Sequence, residues 1–158
     1  MLIRDRYWRY QQWAQQQNIS LQDWHEDNFK LLMRIVPSCL PQSDGMICQP
    51  AQKPALQVAL SEVFKFTTEM QLSMRFDDEP SDLMVVRIYH DVKLAELRFA
   101  NEFDRLYQQL GGRADSRLKA QRRYSLNCFF NKWLRHLIAN GYARNDWQAI
   151  KPVAVVTG

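Results

Sequence analysis

Between Ala55 and Ala100 apolar and polar residues alternate with a period of two, the mark of strands that bury one face. Leu56, Val58 and Leu60 share one face of a first predicted strand. Phe66, Thr68, Met70, Leu72, Met74 and Phe76 share one face of a second, while Thr67, Glu69, Gln71, Ser73 and Arg75 point the other way. The acidic, proline-containing run from Asp77 to Asp82 predicts a turn. The stretch from Leu83 to Phe99 then folds back on itself. With Asp91 and Val92 as turn residues, Ile88 pairs with Ala95, Val86 with Leu97 and Met84 with Phe99, all apolar and all on one face. The opposite face sets Arg87 against Glu96, opposite charges directly across, and a slip of one residue destroys both patterns. Asp-Val lacks the glycine that two-residue turns favour, which is the weak point of this register.

A helical period flanks the strands on both sides. Residues 1–17 predict a helix in which Tyr7, Trp8, Tyr10 and Trp13 interleave with Arg4, Arg6 and Arg9. Ile3, Tyr7, Tyr10 and Trp13 fall at helical spacing, so that helix docks onto the domain; the competing reading is a nucleic-acid stacking surface. Ser20 and Asp23 form an acidic variant of the capping box for a second helix. Leu21, Trp24, Asn28, Leu31, Leu32 and Ile35 line one side of it, and Pro37 stops it. Four prolines and Gly45 make Pro37–Pro54 read as a long loop. A long third helix runs from Leu118 to Asn140, closed by Gly141 at the position that favours a left-handed residue. Leu126, Phe129, Phe130, Trp133, Leu137 and Ile138 form its apolar stripe, with Lys119, Arg123, Asn127, Asn131 and Arg135 on the solvent side.

A sheet with one apolar face and amphipathic helices predicts an α+β domain: a four-stranded antiparallel meander in order 1-2-3-4, with one face covered by two or three helices. The organisation expected is an aromatic, Gln-rich N-terminal helix or extension at 1–19, a single domain at 20–142 and a C-terminal tail at 143–158. The last eight residues of that tail read as an added edge strand or as disordered.

Composition narrows the class. At 158 residues the chain is long enough for one self-sufficient core, and 46% hydrophobic with 24% charged residues is ordinary for a soluble domain. No apolar run reaches membrane-spanning length, and the start has no apolar signal region. Cys39, Cys48 and Cys128 form no CxxC pair, which fits reduced thiols in a cytoplasm. The net charge of +4 is unevenly spread: residues 1–112 hold 12 Lys and Arg against 15 Asp and Glu, whereas residues 113–158 hold 9 against 2. Such asymmetry marks either a surface for an anionic partner or a basic helix lying on the acidic remainder of its own fold.

Several blocks carry a resemblance. Glu26 to Phe29 running on to Leu32, Arg34 and Pro37; Glu62 with Lys65 to Thr68; Val86 to Asp91; and Asn127, Phe129 and Trp133 to Arg135 ending at Gly141 stand in this order. In these the chain resembles the YqiB-like family of small bacterial proteins of unknown function, over residues 22–142. The resemblance implies a cytoplasmic bacterial protein and one domain holding both the Tyr89–Asp91 and Trp133–Arg135 blocks. It implies no activity, cofactor or catalytic residue.

The chemistry has to be weighed from the residues. His90 beside Asp91 and Tyr89 is the one candidate for general-base work, as a carboxylate can fix and charge an imidazole. Neighbours in a strand point to opposite faces, so Asp91 cannot orient His90 while both are extended; the plainer reading is a turn-capping Asp and a hydrogen-bonded rim His. No metal site and no cofactor is expected: three His are scattered, the Cys lack zinc spacing, and Gly111-Gly112 alone is a turn signal. The second candidate is the basic run Arg113, Arg117, Lys119, Arg122 and Arg123, unfavourable at a helix start and therefore answering to an outside anion or to the acidic turn. With Arg87, Tyr89, His90 and Asp91 these are the binding residues expected. The expected function is a non-catalytic cytoplasmic binding or regulatory module for a protein or anionic partner. The alternatives are a nucleic-acid-binding module using 113–123 and a small hydrolase or transferase centred on His90. The sheet face with Arg87, Tyr89, Leu94, Glu96 and Arg98 is a possible homodimer surface.

Overall fold

The computed structural model describes residues 3–38, 45–76, 79–101 and 116–150. They form three helices, α1 (Ile3–Gln16), α2 (Leu21–Ile35) and α3 (Ser116–Ala139). Six strands, β1 (Met46–Cys48), β2 (Ala55–Val63), β3 (Thr67–Phe76), β4 (Glu79–Tyr89), β5 (Leu94–Ala100) and β6 (Trp147–Ala149), make one sheet in the order β5-β4-β3-β2-β1-β6. Every pairing is antiparallel, and β2 to β5 are the expected meander. The count of four strands is corrected to six, because the two added strands, β1 and β6, hold only three residues each, too few to show alternation. β1 lies inside the stretch expected to be one long loop. It is drawn against β2 through Gly45, where an added Cβ would meet the Val58 carbonyl oxygen at 2.6 Å. β6 falls within the expected 143–158 tail; the final eight residues lie outside the described part, as do Cys39 and most of the 101–117 connection.

The hairpin register holds along most of its length. Ile88 pairs with Ala95, Arg87 with Glu96 and Val86 with Leu97, but Val85 then pairs with Phe99 and Met84 with Ala100. Arg98 is therefore the extra residue of a β-bulge, and the expected Met84–Phe99 pair is corrected. The last paired residues at the tip are Tyr89 and Leu94, so the turn has four residues with Lys93 in the left-handed region at φ +57°. A loop of this length does not need the glycine that a two-residue turn would.

Helix ends follow the chemistry of their caps. The Asp23 amide donates to Ser20 Oγ (3.1 Å) while the Ser20 amide donates to Asp23 Oδ2 (2.8 Å). At the far end of α3 the Gly141 amide donates to the Ile138 carbonyl and the Tyr142 amide to that of Leu137, a Schellman pair that Gly141 permits with φ +93°.

The core lies between one sheet face and α2 with α3. It holds Leu56, Val58, Met70, Leu72, Val86, Ile88 and Leu97 from the sheet, Leu32 and Ile35 from α2, and Leu126, Phe130, Leu134 and Leu137 from α3. A smaller cluster of Ala14, Trp24 and Cys128 joins α1 to the two other helices. α3 is thus apolar on two sides. Asn127 and Asn131, expected on its solvent side, are fully buried. Between two apolar faces there is no room for a polar outer face at those positions.

Candidate functional site

The buried asparagines form a polar seam where α2, α3 and β5 meet. The Leu97 amide donates to Asn127 Oδ1 (2.8 Å), and Asn127 Nδ2 donates back to the Leu97 carbonyl (3.3 Å). Asn127 thereby makes the two hydrogen bonds that a seventh strand would have made at the edge of β5. Asn28 Nδ2 donates to the Asn127 carbonyl, and Asn131 Nδ2 to Asn28 Oδ1 and Asp27 Oδ2. Asn131 Oδ1 accepts from the Tyr10 hydroxyl and from Arg135 Nε, while Arg135 Nη2 bridges to Asp27 (2.6 Å). Every amide in this seam is satisfied within the protein, which makes it architecture rather than a ligand site. Several residues that carry the family resemblance, Asp27, Asn28, Asn127 and Arg135, meet here.

One turn before Asn127, α3 reaches over the edge strand. Arg123 Nη2 meets Glu96 Oε1 at 3.0 Å, and the Tyr89 hydroxyl lies 3.5 Å from Glu96 Oε2. The cross-strand ion pair expected between Arg87 and Glu96 does not form, although their backbones are in register. Arg87 turns to its other neighbour, Glu69 on β3, at 2.9 Å, and Arg123 takes the Glu96 carboxylate. Behind Glu96, His25 is buried, and its Nε2 has no hydrogen-bond partner among the described residues. Burial holds the His25 imidazole below the usual histidine range; the nearby Glu96 carboxylate pulls upward and the Arg123 guanidinium pushes downward. Neither His25 nor the burial of Glu96 was legible, because His25 sits one residue off the α2 stripe and Glu96 lies on the polar parity of β5. A recess of about 140 Å³ at this seam is lined by Glu96, Leu97, Arg98, Arg122, Arg123 and Leu126. A larger hollow of about 420 Å³ beside β6 has Asp146 as its one titratable lining residue.

The hairpin tips form the other candidate region. The His90 amide donates to the Phe66 carbonyl (2.9 Å), so the β2–β3 and β4–β5 turns lie side by side at one end of the sheet. Val63, Phe64, Phe66 and Val92 are 57%, 54%, 53% and 57% exposed there. Lys65 Nζ sits 5.1 Å above the Phe66 ring. His90 is exposed at the rim, its Nε2 2.7 Å from Thr68 Oγ1, and Asp91 is exposed in the turn.

The structure therefore distributes the expected residues over two places. Tyr89, Arg122 and Arg123 come to the Glu96 seam, and His90 and Asp91 stay at the tip. Arg87 is held in the sheet by Glu69. Arg113 lies outside the described residues, and only the helical backbone of Arg117 and Lys119 is described. Among the described residues no three His, Cys, Asp or Glu are grouped to hold a metal ion, and no helix is long and apolar enough to cross a membrane. The Cys128 thiol, fully buried in α3, is pushed up to about 12 by desolvation, far from the range of a nucleophile.

No curated protein and no solved structure matches the chain. A family model does, over residues 31–143, from the second half of α2 to just beyond Gly141. That match covers both the hairpin and all of α3, and its description carries no YqiB-like name. By it the chain belongs to the DUF1249 family, described as a protein of unknown function.

Proposed function

We propose that the protein is a non-catalytic binding or regulatory module of the cytoplasm, and that it docks a protein partner through the paired hairpin tips. The finer likeness to YqiB-like proteins belongs to the same proposal. The observation that carries the reading is the gathering of Val63, Phe64, Phe66 and Val92, each more than half exposed, on two turns fixed to each other by the His90–Phe66 hydrogen bond. Isolated exposed apolar residues are commonplace, but a cluster on a preorganised edge, with aromatic rings in it, has the make-up of an interface centre. A rigid tip also loses little conformational entropy on binding. Thr68, not a carboxylate, is the hydrogen-bond partner of His90, which favours binding over general-base catalysis. The anionic side of the reading draws on α3, where Arg117, Lys119, Arg122, Arg123, Lys132 and Arg135 have no Asp or Glu on the same helix.

The test compares the full chain with its Phe64→Ser/Phe66→Ser variant as bait in extract from its own cells. A protein held by the first and lost by the second, which rebinds when purified, supports the proposal. Identical captured sets overturn it. Concentration-dependent size exclusion identifies the case in which the partner is a second copy.

A further inference from the structure

We propose that the recess between β5 and the first half of α3 holds a backbone phosphate of a single-stranded nucleic acid, with Phe99 as the platform for an adjoining base. This rests on the reading of the chain as a binding module and names the chemistry of its anionic partner. The recess is lined by three arginines, Arg98, Arg122 and Arg123, against one carboxylate, Glu96. Glu96 is already engaged by Arg123 at 3.0 Å. Its effect is to fix the direction of one guanidinium, while Arg98 stays exposed in the lining. Guanidinium groups present planar forks that match phosphate oxygens two at a time.

The bulge is the second and independent observation. In regular alternation Arg98 would stand opposite a β4 residue; as the unpaired residue of the bulge it is re-aimed, exposed, into the lining of the recess. The same bulge sends Phe99 to the open face of the sheet, where it pairs with Val85 and remains 39% exposed. Glu96 and Phe99 are two pairing steps apart on that face, since Arg87 and Val85 are their partners. At the rise of a strand this is about 7 Å, so a base attached to a phosphate in the recess is within reach of the ring. Cation beside exposed aromatic is the usual composition of surfaces that follow single strands without reading sequence. The α3 backbone extends the line, placing Arg117 and Lys119 one to two turns before Arg122 and Arg123, with no acidic side chain on the helix.

The test uses the full chain and a fluorescein-labelled oligodeoxythymidine of about 12 nucleotides, followed by anisotropy between about 50 and 200 mM salt. Arg98→Glu is expected to weaken binding at least about tenfold and to lower the salt slope by about one. Arg98→Gln, which keeps the length without the charge, is expected to lower the slope equally and guards against a folding defect in the Glu variant. Phe99→Ala is expected to weaken binding about fivefold or more with the slope unchanged, because the ring displaces no counterions. Arg123 is left intact, as its loss would strand the buried Glu96. The Phe64→Ser/Phe66→Ser variant is expected to bind the strand as the parent does, so failure here and failure at the hairpin tips are read separately. Absence of binding at low salt, or binding indifferent to both Arg98 variants, overturns the proposal. Inorganic pyrophosphate displacing the strand at equal concentration per phosphate, with Phe99→Ala without effect, also overturns it in favour of a small-anion site.

Discussion

At the junction of α2, α3 and β5, three asparagines are wholly buried, whereas at the hairpin tips four large apolar side chains are more than half exposed. Each region reverses the usual placement of its residue type, and the two reversals have different causes. The asparagines have hydrogen-bond partners on other elements, so burial there is stabilising and directional. The tip residues are held in place by backbone pairing and gain nothing from their own exposure. Partnered polar groups inside describe how the chain folds; the exposed apolar groups outside are what the proposed docking would use.

Three perturbations grade that contrast. The largest effect is expected from Asn127→Ala, which leaves both the amide and the carbonyl of Leu97 without partners at a buried edge and should cost about 3 kcal/mol, measured by urea unfolding. A loss below about 1 kcal/mol would mean that water reaches that edge and that the seam is not closed. An intermediate effect belongs to His25, a buried titratable side chain whose ring Nε2 lacks a partner among the described residues. Burial lowers its folded pKa, so the unfolded chain takes up the proton first. Stability is then full above about pH 6.5 and falls as pH drops from there toward the folded value. His25→Gln should flatten that slope in a pH series of unfolding midpoints, and an unchanged slope would assign it to carboxylates elsewhere. The smallest effect is expected at the tips, where Phe64→Ser/Phe66→Ser should alter stability by less than about 0.5 kcal/mol despite removing two aromatic rings. A loss well beyond that would make the tip a packing element and collapse the distinction.

Much of the fold was legible because strands of seven or more residues repeat their alternation often enough to set a register. Ile88–Ala95 and Val86–Leu97 follow from that alone. What escaped was decided by neighbours distant in sequence. Arg87 faces Glu96 in register yet bonds Glu69, since a central strand offers its side chains two flanking strands and pattern reading considered one. Asn127 and Asn131 occupy the positions of a solvated helix face, and only the arrival of α1 on one side and the β5 edge on the other makes that face interior. For the sites, the arginines of α3 were visible as a charge excess. Arg98 was visible only as a residue of the open sheet face, and its turn toward the recess was not, because nothing in Leu97-Arg98-Phe99 announces a bulge.

The pairing of Asn127 with Leu97 has a consequence for how these molecules behave in a crowd. A sheet grows by recruiting strands onto whichever margin still offers free amides and carbonyls, and this sheet has two margins. On the β5 side a helix side chain already fills the place of the incoming peptide. On the β6 side the strand is three residues long. Loss of Asn127 would therefore do more than loosen a helix: it would uncover a docking rail for the extended segments of other chains, turning a defect of stability into one of solubility.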